Sequence, residues 1–142
     1  MEKFEILNYM VGGFFLLSFS FVSYFIGLNA CQYLGRILYP SRIVSYRELE
    51  DIVAFEALKL GINPKNIDVK LNENEITGVK KTKGRYDMSF RNIPKDISVI
   101  RHELYHVLKD CDKFEDRKID YLYFLFIAEP RATLYGTFGI KI

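Results

Sequence analysis

The longest uncharged stretch of the chain lies near its N-terminus and limits what the chain can fold into. No charged residue occurs from Ile6 to Gly35, and Tyr9–Leu28 is twenty consecutive residues dominated by aliphatic and aromatic side chains. A helix rises about 1.5 Å per residue, so roughly 20 such residues cross the hydrocarbon of a bilayer. The rest of the chain is too short to enclose a helix that is apolar on every face. This stretch therefore predicts a single membrane-spanning helix.

Two other interpretations of the same stretch involve processing. A cleaved signal peptide has an apolar core of about 7–15 residues, which is shorter than Tyr9–Leu28. The tetrapeptide Leu28-Asn29-Ala30-Cys31 resembles a lipoprotein processing box, in which Cys31 would carry a lipid. Asn29 fits the small residue of such a box poorly. Cleavage and lipidation both stay open beside the membrane span.

Charge excludes one class of partner and indicates an orientation. The net charge of +2 is too small for the dense basic surface of a nucleic-acid-binding protein, so no nucleic-acid partner is expected. One basic residue precedes the apolar stretch and three follow it closely: Lys3 against Arg36, Arg42 and Arg47. The positive-inside rule then predicts a single-pass protein with a cytoplasmic C-terminal domain.

We expect two parts in the chain, a membrane anchor with its juxtamembrane segment over residues 1–40 and a small domain over residues 41–142. The domain begins with a helix, because Ser45 and Glu48 form a capping box and apolar residues follow at helical spacing. Gly61 ends this helix. The predicted fold class is α+β: the N-terminal transmembrane helix, one helix, a short antiparallel sheet and two further helices near the C-terminus.

Three stretches of alternating apolar and polar residues predict the sheet. They are Ile67–Leu71, Ile76–Lys81 and Tyr86–Phe90. Their connections are too short for a crossover helix, so we expect an antiparallel arrangement. Asp96 then begins an amphipathic helix. A last helical stretch over residues 117–128 is predicted to pack in the core, and Pro130 to kink or restart it.

Both histidines of the chain lie in the motif His102-Glu103-Leu104-Tyr105-His106, within the helix that Asp96 begins. Residues four apart share one face of a helix, so the two imidazoles can reach one tetrahedral zinc ion at about 2.0–2.1 Å. Glu103 lies beside the first histidine, where its carboxylate can contact a water on the metal without binding the metal itself. Asp110 falls on the same stripe. The opposite face is predicted to be apolar: Leu104, Val107 and Leu108.

A zinc enzyme needs a third protein ligand and an open fourth position. Asp112 lies six residues after His106, but the arrangement that uses such a residue needs a glycine where this chain has Lys109. Glu129 lies 23 residues after His106, which leaves room for a loop and a returning helix. We therefore favour Glu129 as the third ligand, with Asp112 or Glu115 as the alternatives.

The pattern His102-Glu103-x-x-His106 followed by Glu129-x-x-Ala132 resembles the gluzincin zinc metallopeptidases. In size and layout the chain is most similar to the short minigluzincins and to the catalytic domains of integral-membrane metallopeptidases. The resemblance implies one Zn2+ per chain held by His102, His106 and Glu129, with Glu103 as the general base. Thr133 stands where relatives often have Asp or Asn, which puts the orientation of one ligand histidine in doubt.

These observations predict a membrane-anchored zinc endopeptidase whose partners are the membrane and a peptide or protein substrate. The C-terminal tail after Thr133 is expected to hold it latent, as the resemblance to minigluzincins implies.

The alternative is a non-catalytic, membrane-tethered zinc-binding module, and a third possibility is an interaction protein without metal. Iron(II) also suits two histidines and a carboxylate. The oxyanion donor stays open among Tyr105, Arg131 and Tyr135, and the oligomeric state is not predicted.

Overall fold

A computed structural model of the chain describes residues 2–38, 43, 45–94, 96–111 and 121–141, with side chains from residue 12 onward. The described chain is α+β, as predicted, with four helices and one small three-stranded sheet. It divides into two compact units, Met1–Ala30 and Cys31–Ile142.

The first unit consists of the N-terminal part of α1, which runs from Glu2 to Leu38. By length and composition, the stretch Gly12–Leu38 of α1 can cross a membrane, with 27 residues that include an 18-residue window of mean hydropathy 1.7. The helix extends well past Leu28, because neither Pro nor a charged residue interrupts the sequence as far as Gly35. Most of the apolar side chains from Phe14 to Ile26 are exposed, as expected for a helix that faces lipid.

The second unit contains α2 (Tyr46–Leu60), which begins and ends as predicted. The Ser45 side chain accepts a hydrogen bond from the backbone N–H of Glu48, which satisfies one of the unpaired donors of the first turn. Gly61 adopts the left-handed conformation, with φ of 78°, and its N–H closes the helix on the carbonyl of Leu58.

Three strands form one mixed sheet: β1 (Ile67–Leu71), β2 (Gly78–Thr82) and β3 (Arg85–Phe90). Their spatial order is β1-β3-β2, with β1 parallel to β3 and β2 antiparallel to it. The prediction of an antiparallel sheet is therefore wrong for one of the two pairings.

The parallel pair forms without a crossover helix because β1 and β3 are not consecutive in the chain. The loop 72–77 passes across the end of β3 and is held there by two hydrogen bonds. The Asn72 N–H donates to the carbonyl of Phe90 at 3.0 Å, and the Arg91 N–H donates to the Thr77 hydroxyl at 3.2 Å. The chain then returns along the other side of β3 as β2.

Two helices complete the second unit: α3 (Ile97–Lys109) and α4 (Glu129–Phe138). A single helical turn, Tyr121–Tyr123, and a π-helical stretch, Phe124–Ala128, lead directly into α4. The regular helix restarts at Glu129 with Pro130 in its first turn, which confirms the restart predicted there.

The prediction that this last helical stretch packs in the core is wrong for its described part. Leu122, Phe126 and Ile127 are exposed, as is Leu108 at the end of α3. A π-helix bonds residues five apart, so side chains spaced for one face of a regular helix no longer share a face. The core instead lies between α2, the sheet, α3 and α4: Leu49, Val53, Ala57, Met88, Phe90, Ile100, Leu104, Tyr105 and Ala132.

Candidate metal centre

Helix α3 places the histidine motif because its two faces differ. Asp96 caps it by accepting a hydrogen bond from the Val99 N–H at 3.4 Å. Ile100, Leu104 and Val107 are buried in the core, as predicted from the apolar side of this helix. The opposite stripe consequently carries both histidines, one turn apart, toward α4.

Three side chains converge at the surface between α3 and α4. The Nε2 atoms of His102 and His106 lie 3.2 Å apart, and the Glu129 carboxylate lies 3.4 Å from each of them through separate oxygens. Ligands at about 2.0–2.1 Å from a tetrahedral zinc ion are separated by about 3.3 Å, the edge of the tetrahedron. The two imidazole nitrogens are therefore spaced close to such an edge, and one ligand atom from each of the three residues lies within 4.8 Å of the other two.

The described residues contain one group able to hold a metal ion, and it is the group predicted: His102, His106 and Glu129. Two imidazoles and one carboxylate fit zinc, and the same donors also suit iron(II). The alternative ligands Asp112 and Glu115 lie outside the described residues.

The position of Glu129 depends on the helix that leads to it. In the π-helical stretch before it, the Glu129 N–H bonds to the carbonyl of Phe124, five residues earlier. Such insertions of extra backbone occur often at functional sites, because they change which face a residue occupies. Here the regular helix begins at Glu129 itself, and its carboxylate faces the two histidines of α3.

Asp110 supports His106 from behind, a role that the sequence analysis did not assign. It is fully buried, and its Oδ2 lies 3.1 Å from His106 Nδ1. Its Oδ1 accepts hydrogen bonds from Arg131 at 2.8 Å and from the Tyr123 hydroxyl at 3.3 Å. A carboxylate that receives the second ring N–H of a histidine ligand fixes its tautomer and raises its basicity. The spacing of four from His106 to Asp110 was the available signal.

The other histidine has a weaker partner. Thr133 Oγ1 lies 3.5 Å from His102 Nδ1, at the limit of a hydrogen bond. Thr133 stands where the resemblance implies Asp or Asn. Its side chain points to the His102 ring, so a longer carboxylate or amide at this position would reach that ring. The two ligand histidines thus differ in support, one by a buried carboxylate and one by a hydroxyl.

Burial and mutual hydrogen bonding shift the pKa values of three acidic or basic groups here. Burial raises the pKa of Glu103 above 4.5, with the two imidazoles opposing it. Burial also disfavours the charged forms of His106 and Glu129, but the hydrogen bonds to these two groups have the larger effect on their pKa values. These bonds raise the pKa of His106 from 6.5 to about 9 and lower that of Glu129 from 4.5 to about 2. Because ligands bind metal in their deprotonated forms, protons and a metal ion compete for this cluster.

Close packing of α4 on α3 requires a residue without a side chain at position 136. A Cβ on Gly136 would lie 2.6 Å from the carbonyl oxygen of Ser98 and 3.2 Å from His102 Cβ. Such distances are below ordinary contact, so only glycine lets the helices approach this closely. Gly136 was another functional position that the sequence analysis did not assign.

The three residues considered as oxyanion donors make other contacts in the structure. Tyr105 and Tyr135 are buried in the core with their rings stacked at 5.0 Å. Arg131 is bound to Asp110 and, at 2.9 Å, to the Tyr123 hydroxyl. Glu103 is buried and lines a cavity together with His102.

Comparisons of the chain with protein-family models, with curated proteins and with solved structures yield no match. The interpretation of the metal centre therefore depends on its own geometry.

Proposed function

We propose that the chain is a membrane-anchored zinc endopeptidase. The observation that carries this proposal is the convergence of His102, His106 and Glu129 within metal-binding reach of one another, with Glu103 next to the first histidine. The spacing of these residues along the sequence resembles the gluzincins. A membrane anchor is supported by the length and composition of α1.

In this proposal a zinc ion supplies a Lewis acid that polarises the scissile carbonyl and lowers the pKa of water to about 7. His102, His106 and Glu129 would hold this ion, and three protein ligands would leave room on it for a water or substrate. Glu103 accepts a proton from the attacking water and delivers it to the leaving amine, so that one water is consumed as the C–N bond breaks. Asp110 holds the His106 ring in position throughout.

A peptide substrate is supported by an outer strand of the sheet beside α3, as far as the chain is described. β2 lies at the edge of the sheet and packs against α3. A groove of about 490 Å³ follows this strand, lined by Asn74–Lys80 with Asp87 and Ser89. An extended peptide can add to such an edge through backbone hydrogen bonds.

The decisive experiment compares wild type with Glu103→Gln, both as full-length protein in detergent. We expect about one zinc per chain in both by elemental analysis. We also expect cleavage of a mixed peptide library by wild type alone. Glu73→Gln, in the exposed β1–β2 loop, is the matched control and should cleave like wild type. Equal cleavage by wild type and Glu103→Gln would overturn the mechanism.

A non-catalytic zinc-binding module is the second candidate, and one contact favours it. Thr133 gives His102 a partner at 3.5 Å only, which leaves this ligand less firmly oriented than His106. Zinc bound to wild type without Glu103-dependent cleavage of any peptide would support this candidate. Absence of tightly bound metal would exclude both.

Latency through the C-terminal tail stays a prediction. Tyr135 and Thr137 belong to α4 and are buried, whereas Ile140 and Lys141 are exposed beyond the helix end at Gly139. A truncation after Thr133 would remove core residues, so the informative truncation is after Gly139. Latency predicts that this shorter chain cleaves faster than wild type; an unchanged rate contradicts it.

A further inference from the structure

The last two turns of α1 form one wall of a cavity next to the candidate metal centre. A cavity of about 150 Å³ lies beside His102 and Glu103. Gln32 and Arg36 of α1 line it from one side, and α4 lines it from the other through Thr133 and its neighbours. All of these residues belong to the second compact unit.

Three contacts hold this end of α1 in place. Gly35 is buried where a Cβ would come within 3.0 Å of Ser98 Cβ, so the helix backbone approaches α3 closely. The Thr137 hydroxyl donates to the carbonyl of Cys31 at 3.0 Å. Arg36 Nε lies 3.8 Å from the Asp96 carboxylate at the start of α3. The wall is therefore packed against both helices that carry the metal ligands.

The size of the cavity suits one side chain. A void of about 150 Å³ is large enough for a group the size of benzene, about six heavy atoms. It is too small for a stretch of peptide backbone with several side chains. A cavity of this size next to the groups proposed to cleave a peptide bond fits a single residue beside that bond.

The polar groups of the α1 wall suit a carboxylate. Asp96 already accepts hydrogen bonds from the Ser98 hydroxyl and the Val99 N–H, and its contact with Arg36 is long. The Arg36 side chain is 63% exposed, so its guanidinium can take a second carboxylate, and the exposed Gln32 adds amide donors. Guanidinium and carboxylate match in geometry and form charge-assisted hydrogen bonds.

We infer that Gln32 and Arg36 form a specificity subsite for an acidic side chain, Asp or Glu, next to the scissile bond. This inference rests on the proposed peptidase function. It makes the end of the membrane anchor part of the substrate-binding site as well as a tether.

The test uses N-acetyl amino-acid hydroxamates of Asp, Asn, Glu and Gln, which combine a metal-binding group with matched charged and neutral side chains. Binding to zinc-loaded full-length protein in detergent is measured by titration calorimetry. We expect the Asp and Glu compounds to bind about tenfold more tightly than Asn and Gln, as for a charge-assisted hydrogen bond at a partly exposed site. Arg36→Gln should reduce this ratio to about one, and Arg36→Lys should keep most of it.

Tyr33→Ala is the matched control, because Tyr33 lies on the same turns of α1, is exposed and does not line the cavity. It should keep the wild-type ratio, and melting temperatures check that each variant folds. A ratio near one in wild type, a ratio that survives Arg36→Gln, or no hydroxamate binding at all would overturn the inference.

The subsite and the peptidase function can fail separately. Cleavage that depends on Glu103, together with a flat hydroxamate ratio, would remove the subsite and leave the peptidase. An Arg36-dependent ratio without any Glu103-dependent cleavage would leave an acidic-ligand subsite at a metal centre that does not turn over.

Discussion

The Nδ1 atom of His106 lies 3.1 Å from the Oδ2 atom of Asp110, one helical turn further along α3. Asp110 is fully buried, and Arg131 binds its other oxygen at 2.8 Å, so the carboxylate is held in position. This relationship keeps the proton of neutral His106 on Nδ1 and leaves Nε2 to face His102 and Glu129. The support of one ligand is thus built into the same helix that carries it.

Asp110→Asn is expected to weaken zinc binding about 10–100-fold, because an amide keeps the shape but loses the charge that orients a ligand histidine. Competition with a chelator of known affinity measures the change. Lys109→Gln, at an exposed neighbouring position, is the control and should bind as wild type does. Unchanged affinity in Asp110→Asn would show that this contact does not tune the metal.

Glu129→Ala should reduce the zinc content of the purified full-length protein from one per chain to a small fraction, because only two protein ligands remain. Asp112→Ala tests the alternative ligand and should keep one zinc per chain by elemental analysis. The reverse result would assign the third ligand to Asp112.

Gly136→Ala should lower both stability and metal affinity. The added Cβ would meet the Ser98 carbonyl at 2.6 Å and His102 Cβ at 3.2 Å, so α4 must move away from α3. Overpacking of this kind costs about 1–3 kcal/mol. Gly27→Ala, in α1 with no neighbouring atom within 4 Å, is the control. Thermal unfolding and zinc competition of both variants test the prediction, and equal behaviour would contradict the close approach of the helices.

Glu56 should make the stability of the domain depend on pH. Burial raises the pKa of its carboxyl, but hydrogen bonds from Arg101 and Lys59 outweigh this and bring the pKa below 4.5. A lowered folded-state pKa adds stability above the ordinary value, and this stability is lost as the pH falls through the folded value. We expect Glu56→Gln to cost about 2 kcal/mol at pH 7, since Arg101 keeps some contact with water.

The difference in stability between wild type and Glu56→Gln should shrink as the pH is lowered from 7 toward 3. Chemical denaturation at several pH values measures it. Asp51→Asn, on the exposed side of α2, should show no comparable difference. A constant difference across this range would mean that the Glu56 ion pair does not titrate as described.

Membrane integration should depend on the exposed apolar face of α1. Leu16 and Phe19 are exposed near the middle of the sequence-predicted span Tyr9–Leu28, and lysine near the centre of a membrane helix costs about 2.5–3.5 kcal/mol. Leu16→Lys with Phe19→Lys should therefore release the chain from membranes under alkaline extraction, which wild type resists. Leu58→Lys, exposed on α2, is the matched control and should stay with the membrane.

Local signals made much of the fold predictable. Ser45, Gly61 and Asp96 are helix ends because their side chains or backbone satisfy groups that a helix leaves unpaired, and these requirements are visible in the sequence. The strand order was not predictable in this way. Parallel pairing of β1 with β3 depends on a loop that passes across the end of β3, and no residue in that loop signals it.

The candidate site likewise has parts that could be predicted from the sequence and parts that could not. The spacing of His102 and His106 is sufficient to predict neighbouring ligands, because a helix places residues four apart on one face. Asp110 obeys the same spacing and was accessible to the same argument. The proposed contribution of Gln32 and Arg36 was not, because it depends on how the end of α1 packs against two distant helices.

The π-helical stretch before Glu129 has a consequence for chain length. Each residue turns a regular helix by about 100°, so one residue more or fewer rotates everything beyond it by that angle relative to what precedes it. A π-helical stretch instead takes up about one residue more than a regular helix. Deleting a single residue between Phe124 and Ala128 would therefore let the segment become an ordinary helix and leave Glu129 close to its present orientation, a loss that a regular helix in this place could not accommodate.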